Sequence, residues 1–200
     1  MRMSRTRIAV VAIATTLTGV AEVAGVSLVG CSSNSKSSWP TSAPAMTARP
    51  PLSDYTALLI KASDIDAPVP FTAGPAVKNP NGQKGATTTF SDQDHSHVII
   101  DTIQIMLDPA GAANALDSAE AIQSQSLSGK PAPVDVGVGG ATISGISPDR
   151  SKGVTMLLFT EGKAFVTLEF DGPKEMLAPP DFVTEVGQKQ DAAIKKGLGG

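Results

Sequence analysis

The sequence predicts an α+β domain, with an antiparallel sheet of about five or six strands packed with two main helices. Three observations carry that expectation. The apolar segments run strand, strand, helix, strands, helix, without the regular strand–helix alternation of a parallel sheet. Gly153 to Thr160 (GVTMLLFT) and Ala164 to Asp171 (AFVTLEFD) both alternate, and Glu161-Gly162-Lys163 between them reads as a three-residue hairpin turn. Asp108-Pro109 opens a stretch with apolar residues at helical spacing, an acid at the cap and proline at the first helical position.

The first 30 residues stand apart from this domain. Arg2, Arg5 and Arg7 precede an apolar stretch from Ile8 to Val20, the layout of a secretory signal. Leu28-Val29-Gly30-Cys31 then places a small residue before the chain's only cysteine, with aliphatic residues two and three before it. This is a lipobox, the pattern read by bacterial enzymes that diacylate a cysteine and cleave in front of it. The competing reading is an uncleaved anchor, since about 20 apolar residues span a bilayer. Glu22 weighs against that, because a charge at mid-bilayer costs about 2.5–3.5 kcal/mol. A lone cysteine in an exported chain makes no internal disulfide, and acylation gives its sulfur a use. One acyl chain holds only marginally, whereas two or three hold firmly. Residues 1–30 are therefore expected to be a lipoprotein signal peptide, Cys31 the acylated residue, and the outer face of the cell membrane the location. Ser32 to Pro51, rich in Ser, Pro, Thr and Ala, predicts a disordered stalk over 31–52, with Trp39 either at the lipid interface or solvated. A single α+β domain over 53–200 follows.

Within that domain, Tyr55 to Ile60 is a short apolar run, and Ser63 or Asp64 would cap a brief helical turn. Residues 67–86 are rich in Pro, Gly, Asn and Lys and predict a mobile loop, with a turn at Asn79-Pro80-Asn81-Gly82. Ala86 to Phe90 and Val98 to Leu107 read as strands. In the second, Ile99, Asp101, Ile103, Ile105 and Leu107 share the greasier face, which is expected to pack on a core. Ala112, Ala115, Leu116, Ala119 and Ile122 supply the apolar positions of a helix over 109–126. Lys130 to Pro133 is a connector, and Val134 to Val138 and Ala141 to Ile146 are further strands. Pro179-Pro180-Asp181 starts a C-terminal helix, its apolar positions Phe182, Val183, Val186, Ala193 and Ile194, with Lys195 and Lys196 at the negative end of its dipole.

A net charge of −3 with no basic run argues against nucleic acid as a partner. Aromatic residues are only 4%, so an aliphatic core must hold the domain without disulfides. One polar cluster stands out, Asp92-Gln93-Asp94-His95-Ser96-His97. On a strand His95 and His97 would project to one side, and two neutral imidazoles with the Asp94 carboxylate suit Zn²⁺ or Cu²⁺. The cluster lies between two predicted strands, where short polar residues make a turn, and a solvated hairpin turn is the preferred reading. No cofactor is expected. Gly145-Ile146-Ser147 lacks the second glycine of a nucleophile elbow. Gly137-Val138-Gly139-Gly140 precedes a strand rather than a helix and reads as a loop or bulge. Asp64 and Asp66 near Lys61 read as a polar loop, and Met106, Met156 and Met176 as core filler.

The lipobox and stalk, the opening YTALLIKASDI, the long loop after it and the pattern GVGGATISGISPDRSKGVTMLLFTEGKAFVTLEF resemble small mycobacterial envelope lipoproteins, the LpqN-type proteins and related extracytoplasmic sensor-like domains. The resemblance implies an envelope location and an α/β-sandwich-like fold, with no active-site residues. It points to a non-enzymatic domain that binds a partner protein or an envelope component, held to the membrane by its lipid. The alternative is carriage of a lipid or other apolar molecule in a cavity between sheet and helices, lined by the aliphatic strands and the helix over 109–126.

Overall fold

A computed structural model describes residues 54–199; the signal peptide expected over 1–30, Cys31 and the stalk expected over 31–52 lie outside the described residues. Alternating apolar and polar residues build the hairpin of β3 (Gly85–Ser91) and β4 (Val98–Ile105), which pair from Ser91 opposite Val98 to Gly85 opposite Gln104. The chain leaves this hairpin through α1 (Pro109–Leu127) and returns in β6 (Val138–Ile146), β7 (Lys152–Glu161) and β8 (Ala164–Pro173), three successive antiparallel strands. β8 closes the sheet by pairing with β4, so the long strands run β3-β4-β8-β7-β6. Three two-residue strands complete eight: β1 (Thr72–Ala73) and β2 (Val77–Lys78), both on β3, and β5 (Ala132–Pro133) on β6. The chain ends in α2 (Pro180–Leu198).

The two helices sit on opposite faces, because the apolar residues of the central strands alternate between them. Val154, Met156 and Leu158 of β7 join Ile143, Phe165, Ala112, Leu116 and Leu127 in a small core under α1. Leu157 and Phe159 point the other way, into a larger core with Val166, Leu168, Phe170, Ile99 and Ile103 from the strands. Val183, Val186 and Ile194 of α2 close that core, together with Tyr55, Leu58, Leu59 and Ile60. Each such side chain, fully buried, contributes on the order of 1.5–3 kcal/mol. β7 thus carries large apolar residues on both faces and stands as the spine of the domain.

Close approach of both helices depends on glycine. A Cβ at Gly187 of α2 would lie 2.4 Å from Leu157 Cδ2 and 3.1 Å from Val136 Cγ1. At Gly139, which also has φ +67, a Cβ would lie 2.7 Å from Leu116 Cδ2. Gly139 belongs to a bulge where the β6–β7 register shifts between Val138 and Ala141, in line with the loop or bulge read from the glycine run. A bulge bends its strand locally, here beneath α1.

The class is as the sequence implies, and several details differ. The sheet has eight strands rather than five or six, because two-residue pairings leave no periodic signal. The expected mobile loop over 67–86 contains β1, β2 and a 3₁₀ turn at Pro80–Gly82. It is pinned where Gly74 N–H donates to Thr89 O at 2.7 Å and Asn79 N–H to Gly85 O at 2.9 Å. Of the strand expected over Val134 to Val138 only Val138 is one, as the first residue of β6: Val136 N–H donates to Val134 O at 3.0 Å, a turn tight enough to bury Val136, and Gly137 takes φ +55. The hairpin of β7 and β8 turns on two residues, since Glu161 already pairs with Ala164 and Gly162 adopts φ +54. Leu107 is 96% exposed, because β4 ends at Ile105 and Asp108 caps α1 through Gly111 N–H. Ile122 is 60% exposed, about 80° around the helix from Ala112 and about 120° from Leu116, outside the stripe that they bury.

Candidate functional site

Three connections meet at the end of the sheet where β4 and β8 pair through Val98 and Asp171, and between them they leave a groove of about 590 Å³. The first two 3₁₀ turns of the domain are Thr56–Leu58 and Ala62–Asp64, and one wall is the segment after the second, with Asp66, Val69 and Phe71. A second is the β3–β4 turn, contributing Asp92 and His97. The third is the run from Gly172 to Pro179 with the first turn of α2, contributing Met176, Leu177, Asp181 and Phe182. Ile99 and Phe170 come up from neighbouring strands as the floor, and the Phe170 and Phe182 rings meet edge to face with centroids 5.9 Å apart.

The groove is open along one side, and its rim is both apolar and acidic. Val69 is 51% exposed, Met176 58% and Leu177 48%, so three of the larger exposed apolar side chains stand around one opening. Met176 is therefore not core filler; Met156 is buried and Met106 packs at the edge of the α1 core. Asp66, Asp181 and Glu185 are exposed, Asp92 and Asp171 are buried, and no lysine or arginine is among the lining residues. Asp181 lies in the first turn of α2, where the helix dipole favours a negative charge. Glu185 is partnered by Lys189 at 3.2 Å, which leaves Asp66 and Asp181 as the exposed acids facing the opening. Asp171 accepts from Lys152 Nζ at 2.7 Å through Oδ2, while its Oδ1 is buried without a hydrogen-bond partner. Two residues earlier on the same face, burial and the Asp171 charge together raise the Glu169 carboxyl.

The polar cluster singled out in the sequence forms one wall of this groove. Asp92 organises it: its Oδ1 accepts from Ser96 N–H at 2.8 Å, and its Oδ2 accepts from Ser96 Oγ at 2.8 Å and from His97 N–H at 3.2 Å. His97 Nδ1 lies 2.9 Å from the same Oδ2. Burial works to raise this carboxyl, but the bonds from His97 and Ser96 outweigh it and hold the group down at about 2. Such a carboxylate locks a turn, as expected of short polar residues between strands.

Serine, histidine and aspartate thus meet here, but not as a nucleophilic triad. Ser96 Oγ lies 3.0 Å from Nδ1 of His97, the nitrogen that Asp92 already engages. Activation of a serine needs the hydroxyl on the opposite ring nitrogen from the carboxylate. His95 has φ +55, which breaks the strand alternation that would have set it beside His97, and Asp94 is exposed. Among the described residues no group of three or more His, Cys, Asp or Glu side chains is arranged to hold a metal ion. Ser147 lies in the β6–β7 turn, where its Oγ donates to Asp149 Oδ1 at 2.6 Å and accepts from Lys152 N–H at 3.0 Å. Asp64 accepts from Lys61 N–H at 2.8 Å, a capping bond within the second 3₁₀ turn.

The floor of the groove is legible in the sequence only as core: Ile99 and Phe182 hold apolar positions of a strand and a helix, Phe170 falls in the alternating run AFVTLEFD, and nothing in the sequence says that they meet at an opening. Val69 and Leu177 had no signal, because the rim is assembled from segments more than a hundred residues apart. No known family, no curated protein and no solved structure matches the chain.

Proposed function

We propose that this chain is a lipid-anchored envelope protein of the kind the small mycobacterial lipoproteins represent, whose folded domain binds a partner protein or an envelope component and is not an enzyme. The observation that carries the reading is the groove: an apolar floor open to solvent, ringed by Val69, Met176 and Leu177. Large apolar side chains gathered at one opening mark a surface that is covered in use. The arrangement of Ser96 and Asp92 on one nitrogen of His97 supports a binding role over a hydrolytic one. Anchorage rests on the lipobox ending at Cys31. The alternative, carriage of a lipid, has a weaker footing. A pocket that carries a small apolar molecule buries most of its surface, and this groove is open and lies beside α2, away from α1, where the sequence reading set a cavity.

The test is a photo-crosslinking amino acid at Leu177, half exposed on the rim, in cells carrying the full chain. A discrete adduct expected at this position, and absent when the crosslinker is moved to the exposed Ser118 of α1, would support the reading. Equal labelling at both positions, or none at either, would refute it.

A further inference from the structure

The charge around the opening limits what can occupy it. The rim presents Asp66 and Asp181 to solvent, with Glu185 one helical turn further along α2. Asp171 pairs with Val154, whose side chain lies in the core under α1, so its carboxylate points to the other face of the sheet, where Lys152 holds Oδ2; the exposed acids that face the opening are Asp66 and Asp181. A ligand with apolar groups alone would fill the floor and leave these carboxylates facing a drier surface, which is unfavourable for unpaired charge. An anionic ligand would meet only like charge. A ligand that sets apolar side chains on Phe170, Phe182 and Ile99 and brings basic groups to the rim satisfies both halves. The opening along one side suits a segment of polypeptide, whose backbone stays outside while alternate side chains enter. A single long acyl chain would lie half in water.

We propose that the groove receives a basic amphipathic peptide segment of a partner protein, with bulky apolar side chains on the floor and Lys or Arg against Asp66 and Asp181. This rests on the binding function proposed above and names the chemistry of the partner. Specificity of this kind comes from complementary charge at the rim, and affinity from the apolar floor.

Three fluorescein-labelled heptapeptides test it, identical in their leucines but with lysine, serine or glutamate at the remaining positions, titrated into the full chain purified in detergent. The lysine peptide is expected to bind most tightly and the glutamate peptide least, with the difference shrinking as salt is raised. Asp66→Asn and Asp181→Asn should each weaken the lysine peptide by about two- to fivefold, as solvent-exposed ion pairs do, and leave the serine peptide unchanged. Leu177→Ser should weaken lysine and serine peptides alike, and thermal melts show that each variant is folded. Equal binding of the lysine and serine peptides would overturn the charge argument while leaving a binding groove in place. If no peptide binds but the Leu177 crosslink still forms in cells, the peptide chemistry is wrong and the proposed function survives. Loss of both would remove both.

Discussion

Asp101 is a buried acid that ties the stability of this domain to pH. It lies on β4 opposite Leu168 and Thr88, fully buried on the α2 face of the sheet, and neither carboxyl oxygen has a hydrogen-bond partner. Burial pushes its carboxyl up to about 8; the Ile60 N–H pulls weakly the other way, but is itself donated to Gln190 Oε1 at 3.0 Å. The unfolded chain titrates this group near the ordinary 3.8, so the native state holds the extra proton between the two values. Stability from this group is therefore complete below about pH 4 and falls as pH rises towards about 8. Asp101→Asn keeps the shape without the charge. Urea unfolding between pH 5 and 8.5 should show its midpoint falling less than the parent's, the remaining slope coming from groups such as Glu169 that burial also raises, and parallel curves would refute the assignment. Gln190 beside it is equally silent in sequence. Among exposed polar residues of α2 it reads as surface, yet it is fully buried, donating to Leu58 O at 2.8 Å and accepting from Ile60 N–H. Helical periodicity marks which residues face inward but not which inward polar residue will find a backbone partner.

At the level of elements, α2 shows what patterning can and cannot convey. Its start at Pro179-Pro180 and its apolar positions Val183, Val186 and Ile194 were readable, since proline at the first turn and 3.6-residue spacing are local properties. Gly187 is the position that lets the helix sit where it does, and its requirement arises from Leu157, thirty residues earlier. Gly187→Ala is expected to lower stability by about 1–3 kcal/mol, the usual cost of forcing extra volume into a packed core, despite alanine's better helix propensity. A denaturation midpoint equal to or above the parent's would show that the helix can shift to accommodate a methyl group. The same contrast holds for the strands. Val98–Ile105, Lys152–Glu161 and Ala164–Pro173 alternate over eight residues or more and were legible nearly to their ends. Val134 to Val138 carries the composition of a strand, but Pro133 before it and Gly137 within it turn the chain, an effect of position that composition does not convey.

For the molecule as a whole, fold class was legible because it follows from the order of local patterns, and the groove was not because it depends on how loops from distant segments converge. The proposed placement at a membrane rests on different ground, a single sulfur at the end of a lipobox. Cys31→Ala should move the protein from the detergent phase to the aqueous phase on partitioning and retain the unprocessed leader on gels. Unchanged partitioning would leave the groove with no reason to face an envelope partner. No described helix is long and apolar enough to cross a membrane, so anchorage by the described domain itself would need some other device.

The outer margins of the sheet have a further effect on copies held side by side. β3 is bordered at one end by Thr72–Ala73 and at the other by Val77–Lys78, and β6 by Ala132–Pro133, so each margin offers main-chain donors and acceptors only in broken runs. Proline within the last pair removes one donor outright. Neighbouring copies therefore lack the long straight seam through which sheets fuse into fibres, and crowding on a surface should leave this fold as separate units.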